Sequence, residues 1–387
     1  MGRVLLIIID GCGVGAAPDA ADYGASDLLA NTLGHVAAAV NGLKVPHLQA
    51  LGFGNITPMV GVSPKRDALS IWGRLTERNA GKDTVAGHWE LMGLPLDEPF
   101  PTYPDGIPES IQAVIQSLVG KAGICNRPIS GTDAIRLYGD EHCATGAPIV
   151  YTSADSVLQI AAHEESFGLD RLYGLCTHLR DNVTTCRVIA RPFTGTSGSY
   201  VRTGNRRDWT REPEQNSVLD ALDDAGIETT LIGRTTELFP LRKHFALIPT
   251  TNNQDHMHAV SDWLRKTTPN TKALCFANFE DFDMLYGHRN DAHGFASALE
   301  VLDAWVGSEL IPNLSGDDIV ILTADHGNDP TTPGTDHSRE LAPLLCFGPG
   351  IKTYGDAGVL PTFACVGVTI AAKLGVTFTS DAKSFLH

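Results

Sequence analysis

Carboxylates and imidazoles recur in this chain just past the ends of apolar runs. Val4–Ile9 runs directly into Asp10, Ala273–Phe276 leads to Asp281-Phe282-Asp283, and Ile319–Thr323 leads to Ala324-Asp325-His326-Gly327. Asp283 is followed across a glycine-containing turn by His288, and Asp325-His326-Gly327-Asn328 is followed by Asp336-His337. Like charges gathered at one place are costly unless cations neutralise them. Every one of these groups is a hard or borderline ligand without sulfur, so divalent metal binding is the chemistry the pattern suits. A single such histidine reads more simply as a solvated or satisfied loop residue; clusters at three strand ends weaken that reading.

Two glycine-rich stretches could bind nucleotides instead. Gly11-Cys12-Gly13-Val14-Gly15-Ala16 fits the dinucleotide fingerprint, which requires a helix immediately after it. Pro18 and Gly24 spoil that helix, and no second strand ends in an acid at the expected distance. Gly81-Lys82-Asp83-Thr84 ends like a P-loop, yet Thr76 stands where the first glycine belongs and Asp83 separates the lysine from the threonine. Thr84 by itself reads as the N-cap of a helix over Val85–Leu91. A helix N-terminus also favours phosphate, so the two uses are compatible.

Five runs are apolar on both faces, as central strands of a parallel sheet are: Val4–Ile9, Thr229–Ile232, Ala273–Phe276, Ile319–Thr323 and Leu344–Phe347. Helical patterns lie between them, at Ser217–Ala225 and at Phe295–Leu310 with Leu299, Leu302, Val306 and Leu310 on one face. Alternation of this kind predicts an α/β sheet covered on both faces, with ligands at the carboxyl ends of its strands. Between about Pro101 and Asn216 the texture changes to a proline-rich entry and extended segments, with Ile149–Ser153 into Val157–Glu165 reading as a strand–helix unit. The expected organisation is a catalytic core of residues 1–100 and 217–387 with a smaller α+β cap domain inserted at 101–216. Ten of the insert's 11 basic residues are arginine, and Arg191, Arg202, Arg206, Arg207 and Arg211 crowd one stretch. Guanidinium groups suit phosphate because they bind it in bidentate fashion; for Arg202, Arg207 and Arg211 the plainer reading is a solvated charged face.

With 387 residues the chain has material for two or three domains. Its 45 acidic against 29 basic side chains give a formal charge of −16, which works against nucleic acid or an anionic membrane as partner. The run Val4–Ile9 is too short for a secretory or membrane segment. The eight cysteines include no C-x-x-C pair, so reduced thiols in a cytoplasmic protein are expected.

The segments D-G-C-G-V-G-A-A-P-D-A from Asp10, G-K-D-T-V-A-G-H-W-E from Gly81, I-V-Y-T-S-A-D-S-V from Ile149, D-F-D-M-L-Y-G-H-R from Asp281, T-A-D-H-G-N-D-P from Thr323 and G-T-D-H from Gly334 resemble the phosphopentomutases, a family of the alkaline phosphatase superfamily. The resemblance runs from Val4 to about Pro343. D-H-G-N and the terminal G-T-D-H mark only the superfamily; the second and third segments are far more specific. The resemblance implies an alkaline phosphatase-like core and two Mn²⁺ ions. It assigns one to Asp10, Thr84, Asp325 and His326, and the other to Asp283, His288 and His337. It makes Thr84 the phosphorylated nucleophile, places Ser153 and Asp155 at the sugar and Arg191 and Arg206 at the phosphate not being transferred, and gives Lys82, His88 and Trp89 unseparated roles around the site. Arg234 stands where the family typically has lysine, which keeps the charge and alters the geometry. The implied reaction interconverts ribose 1-phosphate and ribose 5-phosphate, or their 2-deoxyribose analogues, through a bisphosphate, with glucose 1,6-bisphosphate or a similar sugar bisphosphate as activator. No nucleic acid, membrane or obligate protein partner is implied. The metal ligands alone would equally suit a phosphatase or phosphodiesterase. Outside phosphoryl transfer, the rivals are a dinucleotide-dependent oxidoreductase and a non-catalytic metal-binding protein.

Overall fold

The computed structural model describes residues 2–153 and 156–386, which pack as two compact units, Met1–Glu98 with Pro213–His387, and Pro99–Glu212. The strands among the described residues are β1 (Arg3–Ile9), β2 (Ser70–Leu75), β3 (Ile124–Pro128), β4 (Ile149–Thr152), β5 (Val157–His163), β6 (Arg187–Thr194), β7 (Val201–Arg202), β8 (Arg207–Thr210), β9 (Glu228–Ile232), β10 (Phe245–Ile248), β11 (Ala273–Phe279), β12 (Ile319–Thr323), β13 (Ala342–Phe347) and β14 (Gly355–Leu360).

In the first unit eight strands form one sheet in the order β10-β9-β11-β1-β12-β13-β2-β14. Strands β10, β9, β11, β1 and β12 run parallel; β13 is antiparallel to both its neighbours, and β14 is parallel to β2. The mainly parallel sheet between helices expected from the apolar runs is therefore present, except that Leu344–Phe347, expected among the parallel strands, lies in the antiparallel β13. Strand β1 is buried along its whole length because it lies between β11 and β12, with Ile9 opposite Phe279 and Ile8 opposite Thr323. Three parallel neighbours thus end at one edge, where Asp10, Asp283 and Asp325 follow. At the opposite edge Arg3 is ion-paired to Asp318 at 2.6 Å, ahead of β12. The helices Thr84–Leu91, Val218–Asp224 and Ala364–Leu374 pack together, as do Thr32–Ala39, Pro46–Ala50 and Ala292–Trp305. None of the described helices is long and apolar enough to cross a membrane.

The second unit holds a sheet in the order β3-β4-β5-β6-β7, with β8 also on β6. Helices Glu109–Val119 and Leu169–Asn182 bury Ile111, Ile115, Leu172 and Leu175 with Val150, Leu158, Ile160 and Val188 of the sheet. Helix Gly131–Thr145 joins Ile149, Tyr151, Ala161 and Phe193 in a second cluster. The strand–helix unit expected at 149–165 is corrected here: Val157–His163 is a strand, antiparallel to β4 and parallel to β6. All seven residues are buried, and an apolar run buried on both faces has no period that separates strand from helix. The β-branched Val157 and Ile160 fit a central strand.

Candidate metal centre

The turn after β1 is made by Gly11 at φ +74, where a Cβ would lie 3.0 Å from Asn328 Cβ, so only glycine brings Asp10 this close to the loop after β12. Of the two aspartates after β11, Asp281 turns away and accepts from the backbone N–H of Asn253 at 2.8 Å, while Asp283 faces the strand ends. Donor atoms of Asp10, Asp325 and His326 form one cluster, and those of Asp283, His326 and His337 another, each within 4.8 Å. His326 Nε2 is 3.3 Å from both Asp10 Oδ1 and Asp325 Oδ2. His337 Nε2 is 3.4 Å from Asp283 Oδ1, and His288 Nε2 is 3.1 Å from Asp283 Oδ2. The His337 ring stacks on His326 at 3.8 Å and on His288 at 4.9 Å.

Thr84 completes the group from another direction. Its Oγ1 lies 3.1 Å from His326 Nε2. It is the first residue of helix Thr84–Leu91 and not the cap; Asp83 is the cap and accepts from the Ala86 N–H at 3.0 Å. Correcting the capping expectation in this way leaves the Thr84 hydroxyl uncommitted to the helix. The helix reaches the end of β12 because residue 87 is glycine, where a Cβ would lie 2.1 Å from the Asp325 carbonyl oxygen. All seven residues assigned to metal by resemblance therefore gather at one edge of the sheet. The resemblance divides them into two sets, whereas the His326 ring has a ligand atom within reach of Asp283 as well as of Asp10 and Asp325.

The donor set fits divalent cations. Asp325 and His326 are 0% and 1% exposed, and Asp10 Oδ1 and Asp325 Oδ2 are buried with no hydrogen-bond partner. An ionised oxygen left so is costly. Each imidazole turns Nδ1 to a backbone carbonyl: His337 to Lys82 at 2.5 Å, His288 to Thr335 at 2.5 Å, and His326 to Gly327 at 3.2 Å. That arrangement fixes the tautomer and aims the Nε2 lone pairs at the carboxylates. His288 and His337 bring Nε2 atoms within 3.2 Å, an approach that two neutral rings donating through Nδ1 cannot make into a hydrogen bond with each other and that a shared cation satisfies.

Electrostatics lead to the same requirement. Burial, aided by the charge of Asp325, pushes the Asp10 carboxyl up to about 6. Burial works against the protonated form of His326, yet Asp325, Asp10 and Asp283 hold its pKa well above the ordinary imidazole value. For Asp283 burial is outweighed by His337 and His288, which hold it well below the usual carboxylate range. These carboxylates draw in positive charge, and metal binding replaces protons at such sites.

Neighbouring residues orient the ligands. Asn278 donates to Asp10 Oδ2 at 2.7 Å, and Asn328 donates to Asp283 Oδ1 at 2.6 Å. Sequence reasoning missed Asn278, whose one signal is a polar residue inside an apolar central strand. Asn278→Ala is expected to weaken Mn²⁺ binding by about 10–100-fold, read by metal titration; unchanged affinity would show that Asp10 needs no such support. The roles of Lys82, His88 and Trp89 now separate. Lys82 pairs with Asp27 at 3.0 Å, Trp89 Nε1 donates to the Leu238 carbonyl at 3.0 Å, and His88 Nδ1 lies 2.8 Å from the Thr84 carbonyl and 3.2 Å from Asp325 Oδ2.

Arg339, also missed, is 1% exposed and ties down the loop ahead of Thr84. It pairs with Glu77 at 2.7 Å and Asp19 at 2.8 Å, donates to the Gly81 carbonyl at 2.9 Å, and stacks over Tyr23, whose hydroxyl donates to the Ala80 carbonyl at 2.7 Å. The Gly11–Ala16 stretch is not a cofactor loop. Val14 N–H donates to the Leu341 carbonyl and Gly15 N–H to Glu340 Oε2, so these groups are spent within the protein.

Arg234 follows β9 and reaches Met284 Sδ at 3.7 Å, on the turn that carries Asp283. Ser153 follows β4 and Arg191 lies on β6, both in the second unit, where Arg206 directly precedes β8. Asp155 lies outside the described residues.

A model of the Metalloenzyme superfamily matches residues 2–377. A phosphopentomutase of Acetivibrio thermocellus is 44% identical over 390 residues, 100% of this chain and 99% of that one. One from Caldanaerobacter subterraneus subsp. tengcongensis is 44% identical, covering 100% of this chain and 97% of its own. A third, from Syntrophotalea carbinolica, is 45% identical over 373 residues, 95% of this chain and 94% of its own. With identity of this order along the whole length of both partners, the chain belongs to the phosphopentomutase family, phosphotransferase mutases within the Metalloenzyme superfamily.

Proposed function

We propose that the chain interconverts ribose 1-phosphate and ribose 5-phosphate, with 2-deoxyribose phosphates as further substrates, through phosphorylated Thr84 and a bisphosphate intermediate. The observation that carries this reading is the Thr84 hydroxyl, free of capping duty at a helix start and 3.1 Å from His326 Nε2. A sugar bisphosphate such as glucose 1,6-bisphosphate supplies the first phosphoryl group. The free hydroxyl of the sugar monophosphate then attacks phosphorus: its O–P bond forms as the bond to Thr84 Oγ1 breaks, and its proton ends on Oγ1. The bisphosphate turns around and its other phosphate returns to Thr84 by the reverse exchange, so the enzyme ends as it began. Two Mn²⁺ ions, held by Asp10, Thr84, Asp325 and His326 and by Asp283, His288 and His337, would supply Lewis-acid stabilisation of the charge on the transferring group.

Ser153 and Asp155 hold the sugar, and Arg191 and Arg206 hold the phosphate that is not in transfer. Arg234 keeps the family's positive charge beside the turn carrying Asp283. The activity is cytoplasmic and needs no nucleic acid, membrane or obligate protein partner. A coupled assay with ribose 5-phosphate, Mn²⁺ and the bisphosphate tests the reaction; release of inorganic phosphate without isomerisation would make the protein a phosphatase. Each charge-assisted hydrogen bond contributes roughly 1.5–3 kcal/mol, so Arg191→Ala should lower kcat/KM for ribose 5-phosphate by about 10–150-fold. Hydrolysis of a small ester with no second phosphate should not fall with it. Equal losses in both reactions would remove the distal-phosphate assignment.

A further inference from the structure

The second unit carries more donors for an anion than Arg191 and Arg206. Strand pairing sets Tyr151 of β4 opposite Gln159 of β5, Gln159 opposite Ile189 of β6, Ile189 opposite Asp208 of β8, and Phe193 of β6 opposite Arg202 of β7. Alternation along each strand then places Tyr151, Gln159, Arg191, Arg202, Arg206 and Asp208 on one face of the sheet. Helix Gly131–Thr145 packs on that face through Ala134 and Ile135, which contact the cluster of Ile149, Tyr151, Ala161 and Phe193.

Charge on this face is out of balance. Among the described strand residues of this face the carboxylate is Asp208, and Arg206 already holds both its oxygens, at 2.7 and 2.6 Å, with Arg187 3.7 Å away. Arg191 donates to Gln159 Oε1 at 3.1 Å, a neutral acceptor. Burial, reinforced by Arg206, lowers the Arg191 pKa to about 10. Tyr151 is 0% exposed, and its hydroxyl lies beside the Arg202 guanidinium with no acceptor for its proton among the described residues. Residue 131, where the helix begins, must be glycine: a Cβ there would lie 2.0 Å from Arg202 Nη2 and 2.3 Å from Tyr151 Oη. The absent side chain lets guanidinium and phenol meet over the first helical turn, whose N–H groups point the same way.

We infer that Tyr151 and Arg202 complete, with Arg191, a cradle for a sugar phosphate, and that they are binding residues for the phosphate not being transferred. The donors come from three strands, and two of them are guanidinium groups, which bind phosphate in bidentate fashion. Bound phosphate accepts from the Tyr151 hydroxyl, whose proton otherwise has no such acceptor, and balances the arginines. The inference rests on the reading that Arg191 and Arg206 take the distal phosphate of the substrate.

The test is calorimetric titration of ribose 5-phosphate into Mn²⁺-loaded protein in a Thr84→Ala background, which prevents turnover, together with the Tm of each variant. Arg202→Ala should raise Kd by about 10–150-fold and Tyr151→Phe by about 10-fold, within the range for hydrogen bonds to charged groups. Because Tyr151→Phe removes a buried hydroxyl that lacks an acceptor for its proton in the free protein, its Tm should stay level or rise. A purely structural tyrosine would instead lower Tm and leave Kd alone, which would overturn the proposal. Arg191→Ala is measured in the same series. Weakened binding there, with wild-type Kd for Tyr151→Phe and Arg202→Ala, refutes these two residues while the distal-phosphate reading stands; wild-type Kd for all three refutes that reading as well.

Discussion

Thr84→Ala should leave a folded, metal-binding protein whose mutase turnover is lower by on the order of 10⁴-fold or more, the scale of losses when a covalent nucleophile is removed. On the proposed mechanism the substitution deletes the oxygen that carries the phosphoryl group between half-reactions. It should not disturb the helix, because Asp83 and not Thr84 accepts the first-turn N–H. Intact-mass measurement after incubation with the bisphosphate activator should find one added phosphoryl group on the native chain and none on the variant. Thr84→Ser should keep part of both the mass change and the turnover. Near-native activity in Thr84→Ala would show that phosphoryl groups pass directly between sugars or through another residue.

Asp325→Asn should be the most damaging isosteric change among the metal ligands. Removing one full charge from the donor set forfeits several kcal/mol of stabilisation of the transferring group, which corresponds to a loss of roughly 10²–10⁴-fold in turnover. Asp325 is fully buried; it raises the Asp10 carboxyl's pKa, but the His326 and His88 rings outweigh burial and hold its own below the ordinary carboxylate value, so the neutral amide loses a net favourable interaction and the metal-free Tm should fall. Added Mn²⁺ should raise the native Tm through binding linkage and raise the variant's much less. A variant whose Tm responds to Mn²⁺ as the native protein's does would place the ion elsewhere.

The parts of the site that were legible in the sequence are those where burial and position coincide. Val4–Ile9 and Ile319–Thr323 are apolar on both faces because each lies inside a parallel sheet, and the acids that end them mark its functional edge. The candidate metal-binding residues at 283, 325 and 326 follow such strands closely, whereas 288 and 337 lie further along the segments after them. Residues that act through contacts between distant segments were not legible. Asn278 is one polar position in an apolar strand until β1 lies beside it and offers Asp10. Arg339 stands 262 positions from Glu77, and no local pattern announces that pairing. Asp83 and Thr84 can both cap a helix, and only the backbone angles at Asp83, φ −100 and ψ 149, decide between them. Val157–Glu165 reads as a helix although its first seven residues form a strand, because period alone cannot classify a short run buried on both sides.

The central place of β1 has a consequence for how the protein is made. Ile8 and Ile9 are synthesised long before Thr323 and Phe279, the residues they pair with. Until β11 and β12 emerge, an apolar run with two unpaired edges waits on the nascent chain, the kind of segment that aggregates unless shielded. Pro99–Glu212 is contiguous and holds all six strands of its own sheet, so it can fold as soon as it leaves the ribosome. The core must close across long sequence separations, which is slow, and only then do Asp10, Asp283 and Asp325 meet. The edge that carries these carboxylates is accordingly complete only after β12 has joined the sheet, and the first strand of the chain, not its insert, is the segment that waits unpaired.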